Sequence, residues 1–468
     1  MKWLLLNPRP EAFRVLGKYE PVMVPFAPMG LAYLAACLEA AGHEVAVHDE
    51  FVESPDAFAP RLRGFRPDAV GISCLTPAMH ALPSRIAAIR AQAPRAAVVC
   101  GNIHATLFYR EILEQGLADF VVRGEGEEAV VALSELLSGA GAGKDVAGLA
   151  FRENGTVRAG KGAAMVQDLD GLPPPAWHLL NLDRYIAPPM FSFKKRLLPV
   201  LASRGCPFSC YFCAQNVLSP RLRKRDPVLV AQEMEDIYRR FGVDLFWFAD
   251  AIFPLCREDG EIFCREMHRR GLTGKVSWIT ETRVDMVERD LIRTMKRAGL
   301  HMLIFGLESG DEAMLRRVKP GLSLEAGRRA VAAARKENVL TLGLFILGLP
   351  GETRESMART LKFSRSVGLD FAKFTRAVPY PGSAFFNDVN QGRPVSDWKS
   401  FHPNREPGPE GGLAYCPPGM SEQELVRAQK RAFLGFYLRP GLAVRHLCKG
   451  TISPENMLRG GRALLGIG

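Results

Sequence analysis

The sequence predicts an α/β protein in three parts: a doubly wound parallel sheet, a partial barrel of six strand–helix units, and a small, mostly helical C-terminal region. Three observations predict it. Apolar strand runs alternate with helical runs over residues 1–140 and again from 195 to 385. A Pro-rich connector, DLDGLPPPAWHLL at 168–180, separates the two regions. Strands that alternate with helices form parallel sheets, because each crossover must carry the chain back to the same edge. At 468 residues the chain is too long for one ordinary domain, and the boundaries fall at 1–145, 146–194, 195–385 and 386–468.

In the first region KWLLLN (2–7) is a short apolar strand ending in a turn, and GLAYLAACLEAAGHEV (30–45) is a helix stopped by AGH. EVAVHD, PDAVGISCLT, AAVVCGNIHAT and ADFVVRGEGE follow as strands and their exits, with helices at 80–94 and up to 137. Ligands of such sheets lie outside the carboxyl ends of the strands. Those ends carry Ser73 and Thr76, then Gly101, Asn102 and His104, then Gly124, Glu125 and Gly126. Small and polar residues at three successive exits suit a broad polar ligand; ordinary loop chemistry would read the same way. SGAGAGKD (138–145) reads as a flexible break, and AGLAFRENGTVRAG (147–160) as a hairpin turning at Asn154–Gly155.

In the second region the strands are LLPVLASRG, DLFWFADAIF, KVSWITETR, HMLIFGLESG, LTLGLFILGLPGE and FAKFTRAVPYPGS, with helices at 227–241, 258–270, 289–298, 324–337 and 354–367. Six units are too few for a closed eight-stranded barrel and enough for an open one. Beyond 385 one helix is well marked, SEQELVRAQKRAFLGFYLR at 421–439, with Ser421 and Glu424 spaced as a capping box.

Composition narrows the classes. Apolar content of 47% and charged content of 24% are those of a globular chain. No run of 18 apolar residues predicts a membrane span, and NPRP breaks the N-terminal apolar run too early for a secretory signal, so a cytoplasmic chain is expected. The net charge of +11 suits an anionic partner, and the tail from Ser421 is basic, but no dense Lys/Arg block with interleaved aromatics predicts nucleic acid.

Cys206, Cys210 and Cys213, spaced C-x3-C-x2-C, follow the first strand of the second region. Barrel enzymes carry chemistry at strand C-termini. Three thiolates can hold three irons of a cubane cluster and leave the fourth open. A structural zinc site would take a fourth ligand, for which His178 and Cys256 are the nearest candidates.

C-x3-C-x-Phe212-C at that strand end resembles the radical S-adenosylmethionine (SAM) superfamily. The resemblance extends to FADAIF with Asp250, ETR with Arg283, GLESG with Glu308 and Ser309, and FILGLPGE with Ile346 and Gly348. It implies a [4Fe–4S] cluster on the three cysteines, SAM on the open iron, and SAM contacts from Phe212, Asp250, Arg283, Glu308, Ser309, Ile346 and Gly348. The family pattern G-x-I-x-G-x-x-E is incomplete, since Leu344 replaces its first Gly and Glu352 falls one residue late.

With the N-terminal doubly wound domain, the chain resembles the cobalamin-dependent radical SAM subfamily, class B methyltransferases among them. PMGLAYLAACLEAAGHEV, VGISCLT, VVCGNIHAT, VVRGEGE and LPPPAWHLL carry this in order and spacing. The resemblance implies a Rossmann-like cobalamin domain whose contacts are the eight strand-end residues named above and Leu75 in the loop after GIS. The D-x-H-x-x-G motif of cobalt-ligating His is absent, as it commonly is in the subfamily, and His104 is expected to hydrogen-bond rather than to ligate cobalt. The implied reaction is cleavage of SAM to a 5′-deoxyadenosyl radical, hydrogen abstraction from an unactivated carbon, and methylation through methylcobalamin. The implied partners are a small-molecule substrate, for which the aromatic residues permit a hydrophobic one, and a reductant such as flavodoxin or ferredoxin. Some members oxidise or cyclise instead. A methylthiotransferase would need a second cluster, for which Cys37, Cys74 and Cys100 are too dispersed.

Overall fold

The computed structural model describes residues 1–10, 25–139, 146–188, 191, 195–395, 397–408 and 411–450. Most of the break expected at 138–145, and the tail residues Glu455, Arg459 and Arg462, lie outside them.

The first domain contains β1 (Lys2–Asn7), α1 (Met29–Ala40), β2 (Glu44–Asp49), α2 (Phe58–Phe65), β3 (Ala69–Ser73), α3 (Leu82–Gln92), β4 (Ala97–Gly101), the short α4 (Asn102–Leu107) and α5 (Tyr109–Glu114), β5 (Phe120–Val122) and α6 (Glu127–Leu137). β1 shows why the sheet has two covered faces. Leu4 and Leu6 pack with Phe58, Ile86 and Ile89 of α2 and α3, while Trp3 and Leu5 pack with Leu38 and Leu133 of α1 and α6. A strand buried on both faces is a continuous apolar run, and its period of two shares the side chains between the layers.

The hairpin of β6 (Leu149–Glu153) and β7 (Thr156–Ala159) differs from expectation. It extends the first sheet, in the order β2-β1-β3-β4-β5-β6-β7, and does not belong to a linker. β6 pairs antiparallel with β5, so the sheet is mixed. β5 is three residues long and would leave an open edge, which the hairpin covers. Asn154 and Gly155 make the turn at φ of 50° and 81°, the left-handed region that this residue pair accepts.

The second domain has β8 (Leu197–Val200), the two-residue β9 (Ser203–Arg204) and β10 (Arg223–Lys224), α7 (Pro227–Phe241), β11 (Leu245–Phe248), α8 (Arg257–Arg269), β12 (Ser277–Thr282), α9 (Arg289–Arg297), β13 (Leu300–Glu308), α10 (Glu312–Val318), α11 (Leu324–Lys336), β14 (Leu340–Leu347), α12 (Arg354–Ser366) and β15 (Phe371–Arg376). Its six parallel strands run β8-β11-β12-β13-β14-β15, and β8 and β15 do not pair, so the barrel is open. Phe246, Phe248, Phe263, Trp278, Phe305 and Phe345 lie in the core between strands and helices.

α13 (Ala384–Asn390), α14 (Glu422–Tyr437) and α15 (Pro440–Cys448) follow among the described residues. Ser421 and Glu424 form the expected capping box of α14. α14 covers the edge left bare at β15, where the Tyr437 hydroxyl donates to Ala372 O at 2.9 Å. The Pro-rich connector is packed against both domains: Ala176 N donates to Ala32 O at 3.0 Å, Trp177 is buried, and the Tyr185 hydroxyl donates to Asp49 Oδ2 at 2.8 Å. Among the described residues no helix is long and apolar enough to cross a membrane.

Candidate active site

The three cysteines lie on a loop whose base is pinched by β9 and β10, paired antiparallel. Gly205 makes the turn at φ of 84°, where a Cβ would collide with Arg221 O. Asn216 closes the loop internally, accepting from Cys206 N at 3.0 Å and donating to Cys206 O at 3.1 Å. Tyr211 N donates to Val318 O at 3.0 Å, which seats the loop over the barrel mouth. Cys206 and Cys210 are half-buried and Cys213 is exposed. Among the described residues no three His, Cys, Asp or Glu side chains converge on one ion. An all-thiol donor set on a short loop fits a cluster, whose irons take one thiolate each.

Beneath the loop lies a cavity of about 260 Å³. Four of the SAM candidates line it: Phe212, Arg283, Glu308 and Ile346. A β-bulge between Gly306 and Glu308 aims the Glu308 carboxylate inward, with Glu308 at φ of 57°. Non-glycine residues adopt that region at a cost, and bulges commonly redirect a side chain next to a site. Lys319, from the end of α10, donates to Glu308 Oε1 at 3.0 Å and to Gly306 O at 2.8 Å. A Cβ at Gly306 would meet both charged groups, so a side chain there would displace the pair. The Arg283 guanidinium is buried, donates to both Asp285 oxygens at 3.0 and 2.9 Å, and lies 3.7 Å from the ring centroid of Phe208 in the cysteine loop. Glu281, Lys373 and Thr375 complete the charged and polar wall. Burial pushes the Glu281 carboxyl up, against the pull of Lys373.

The other three SAM candidates are not on the wall. Asp250 is buried, accepting from Ala202 N at 3.0 Å and Ser203 Oγ at 2.5 Å, so it fixes the chain entering the cysteine loop. Its burial pushes its carboxyl up to about 7. Ser309 is fully buried, with its Oγ 3.2 Å from Thr360 Oγ1 of α12. Gly348 donates its N–H to Glu352 Oε2 at 2.6 Å and, at φ of 83°, leaves room for Leu425 of α14.

At the edge of the first sheet Asn102 Nδ2 donates to Ser73 Oγ at 2.9 Å, and Thr106 Oγ1 accepts from Gly124 N at 2.9 Å, so the three strand exits are tied together. Gly101 and Gly126 border this edge at the ends of β4 and α6. His104 is buried with Nδ1 3.2 Å from Thr76 Oγ1, and its ring centroid is 4.6 Å from those of Phe108 and Trp398. Burial pulls its imidazole down to about 3, so it is neutral. Leu75 is an exposed large apolar side chain at this otherwise polar edge, which fits a loop facing a bulky planar group. Glu125 turns away from the edge, accepting from Arg223 and from Ser219 Oγ. Together with the pair Glu127–Arg204 at 2.6 Å, it joins the first domain to the base of the cysteine loop.

Lys319, Glu281 and Lys373 were not among the sequence candidates. Lys319 lies in RRVKPG, where a helix end rich in cations reads as a solvated face.

A β/α domain with a polar strand edge, joined to an open barrel with three cysteines over a charged cavity, defines a two-cofactor enzyme class. The B12 binding domain model matches residues 22–134 and the Radical SAM superfamily model matches 200–364. The chain belongs to the B12-binding radical SAM enzymes, and this membership supports a [4Fe–4S] cluster, SAM and cobalamin as its cofactors. It is 30% identical to an uncharacterised methyltransferase of Pyrococcus horikoshii over 96% of this chain and 95% of that one. It is 31% identical to the anaerobic magnesium-protoporphyrin IX monomethyl ester cyclase of Cereibacter sphaeroides, over 80% of this chain and 62% of the relative. The fold is similar to that of the radical SAM methyltransferase TsrM from Kitasatospora setae, solved with cobalamin and a [4Fe–4S] cluster, with a TM-score of 0.71 at 17% identity, covering 94% of this chain and 89% of that one.

Proposed function

We propose that the chain is a cobalamin-dependent radical SAM C-methyltransferase acting on an unactivated carbon of a small-molecule, lipid or tetrapyrrole substrate. The observation that carries this reading is the cavity between the cysteine loop and the bulged end of β13, with Glu308, Lys319 and Arg283 on its wall. Cys206, Cys210 and Cys213 would hold the cluster. Phe212, Arg283, Glu308 and Ile346, with Lys319, would hold SAM. Ser73, Leu75, Thr76, Gly101, Asn102, His104, Gly124 and Gly126 at the strand ends would hold cobalamin, while Glu125 is engaged by Arg223 and Ser219.

The bound cofactors supply one-electron reduction, radical hydrogen abstraction and methyl transfer, and the protein supplies position and exclusion of solvent. Glu308 and Lys319, paired and buried, offer one acceptor and one donor for the polar groups of an amino acid. The cation of Arg283 is fixed from two sides, by Asp285 and by the face of Phe208, so it holds a carboxylate without having to reorganise. Asp250 orders the chain before Cys206, and the ion pairs of Arg204 and Arg223 hold the loop against the domain that would carry cobalamin. Neutral His104 packs against Phe108 of the first domain and Trp398 of the C-terminal region and offers no charge to the edge. A reductant such as a flavodoxin or ferredoxin would approach from the side of exposed Cys213.

A second reading, oxidative ring formation without methyl transfer, is favoured by the cyclases of Cereibacter sphaeroides and Rubrivivax gelatinosus, at 31% and 30% identity. The anaerobically reconstituted chain, given SAM with a deuterated methyl group and a strong reductant, separates the two. S-adenosylhomocysteine formed alongside 5′-deoxyadenosine supports methyl transfer. 5′-Deoxyadenosine without S-adenosylhomocysteine contradicts it and favours the second reading.

A further inference from the structure

Residues 425–450 contain Arg427, Lys430, Arg431, Arg439, Arg445 and Lys449 and no Asp or Glu. The same stretch exposes Phe433, Leu438, Val444 and Leu447, at 37%, 58%, 58% and 46% of their surfaces. Elsewhere among the described residues only Phe26, Leu75 and Leu222 are large, apolar and exposed, and they are scattered. The exposed large apolar side chains of the described residues are therefore concentrated on the two C-terminal helices, whose carboxylates, Glu422 and Glu424, are confined to the first turn of α14.

Spacing puts the two kinds of side chain side by side. Arg427 and Arg431 on α14 and Leu438 at its C-cap lie four and seven residues apart, and Val444 and Leu447 three apart on α15, so each set shares a face. The opposite side of α14 is fixed to the barrel by buried Leu425, Ala432 and Phe436, which turns the basic and apolar stripe outward. Arg427 and Arg431 have no ion pair among the described residues, and Lys430 comes only to 4.0 Å from Glu406. Arg439 donates to the carbonyl of Arg365 and keeps its charge, whereas Arg445 and Lys449 pair with the Asp370 carboxylate at 3.9 and 3.2 Å, so the uncompensated charge lies on α14 and at Arg439. A solvated helix face normally interleaves both signs and hides its leucines.

We propose that the outward face of α14 and α15 docks on an anionic lipid surface. Exposed apolar side chains enter the boundary between headgroups and acyl chains, while adjacent Lys and Arg neutralise the anionic headgroups. A second copy of this chain is the less favourable occupant, because a self-complementary contact would bring like charges together. Neither α14 nor α15 is long and apolar enough to cross a membrane, so attachment through this face is peripheral and reversible. It rests on surface residues alone and stands whichever reaction the barrel performs.

The test is co-sedimentation of the full chain with vesicles of phosphatidylcholine alone and of phosphatidylcholine mixed with phosphatidylglycerol. Binding is expected to the anionic vesicles, weakening as salt rises. Two variants, Arg427→Glu/Arg431→Glu and Leu438→Glu/Val444→Glu/Leu447→Glu, are each expected to bind at least ~10-fold more weakly. Their melting and their SAM cleavage in solution should match the parent, because these side chains lie in solvent. No binding to anionic vesicles, equal binding to both vesicle types, binding unchanged in either variant, or a concentration-dependent dimer in place of binding would each overturn the proposal.

Discussion

Glu125, at the carboxyl end of β5, accepts two hydrogen bonds from the Arg223 guanidinium, at 2.5 and 2.8 Å, across the junction of the two domains. Both side chains are buried, at 4% and 11% exposure. Burial pushes the Glu125 carboxyl up, but the hydrogen bonds from Arg223 and Ser219 outweigh it and hold the group below its usual range. Because Arg223 lies in β10, at the far end of the cysteine loop, the pair fixes that loop to the first domain. Replacing one partner, as in Arg223→Met, leaves the buried carboxylate only Ser219 Oγ, Val166 N and Arg204 at 3.5 Å, and is expected to cost about 1–3 kcal/mol. The variant should also lose iron faster on desalting, with all three cysteines intact. Glu125→Leu combined with Arg223→Met should recover part of the stability, and denaturant midpoints with iron analysis measure both effects.

The pair Lys319–Glu308 gives a second expectation. Its side chains are 9% and 7% exposed, and Lys319 also bonds Gly306 O at the bulge. Lys319→Met leaves Glu308 without its cation on the cavity wall. SAM affinity, measured by equilibrium dialysis of the reconstituted protein, should fall by about 10-fold or more, the loss of one charge-assisted contact. Unchanged affinity would remove Lys319 from the SAM site.

Each single replacement of Cys206, Cys210 or Cys213 by Ala should abolish stable iron binding and the cluster absorbance. Cobalamin retention, measured as cobalt after desalting, should persist, because none of the three cysteines lies in the first domain. Joint loss of both metals from a protein with parental melting would contradict separate sites.

His104 predicts a pH dependence. Its folded-state pKa, about 3, lies below the ordinary value of 6.5 because burial disfavours the imidazolium. A depressed folded value contributes stability that is complete above the unfolded pKa and is lost as pH falls toward the folded one. Between pH 6.5 and 5 the loss should reach about 2 kcal/mol. His104→Phe, which keeps the stacking with Phe108 and Trp398, should flatten that part of the profile, and melting curves across this range report it.

Where apolar runs alternate with amphipathic helices, the sequence was readable almost to the residue. α7 occupies Pro227–Phe241 as expected, and all six barrel strands follow the runs that predict them. Elements made by distant pairing were not readable. β9 and β10 have two residues each and are separated by the whole cysteine loop, so no periodicity marks them. The hairpin was visible, but its place in the first sheet depends on the exposed edge of β5, which only the fold reveals. Asp250 and Ser309 show the same limit at the site. A polar residue at a strand end looks alike whether it faces a cavity or hydrogen-bonds behind its wall. Lys319 was missed for the opposite reason, since its burial comes from the β13 bulge and its sequence context is that of an exposed helix end.

The central claim is that one chain holds a cluster and a cobalamin in adjacent domains. It is tested most directly by iron and cobalt analysis of protein reconstituted without oxygen, supplied with hydroxocobalamin and desalted. About four irons and about one cobalt per chain is the predicted result. Four irons without cobalt, or cobalt without iron, would contradict it.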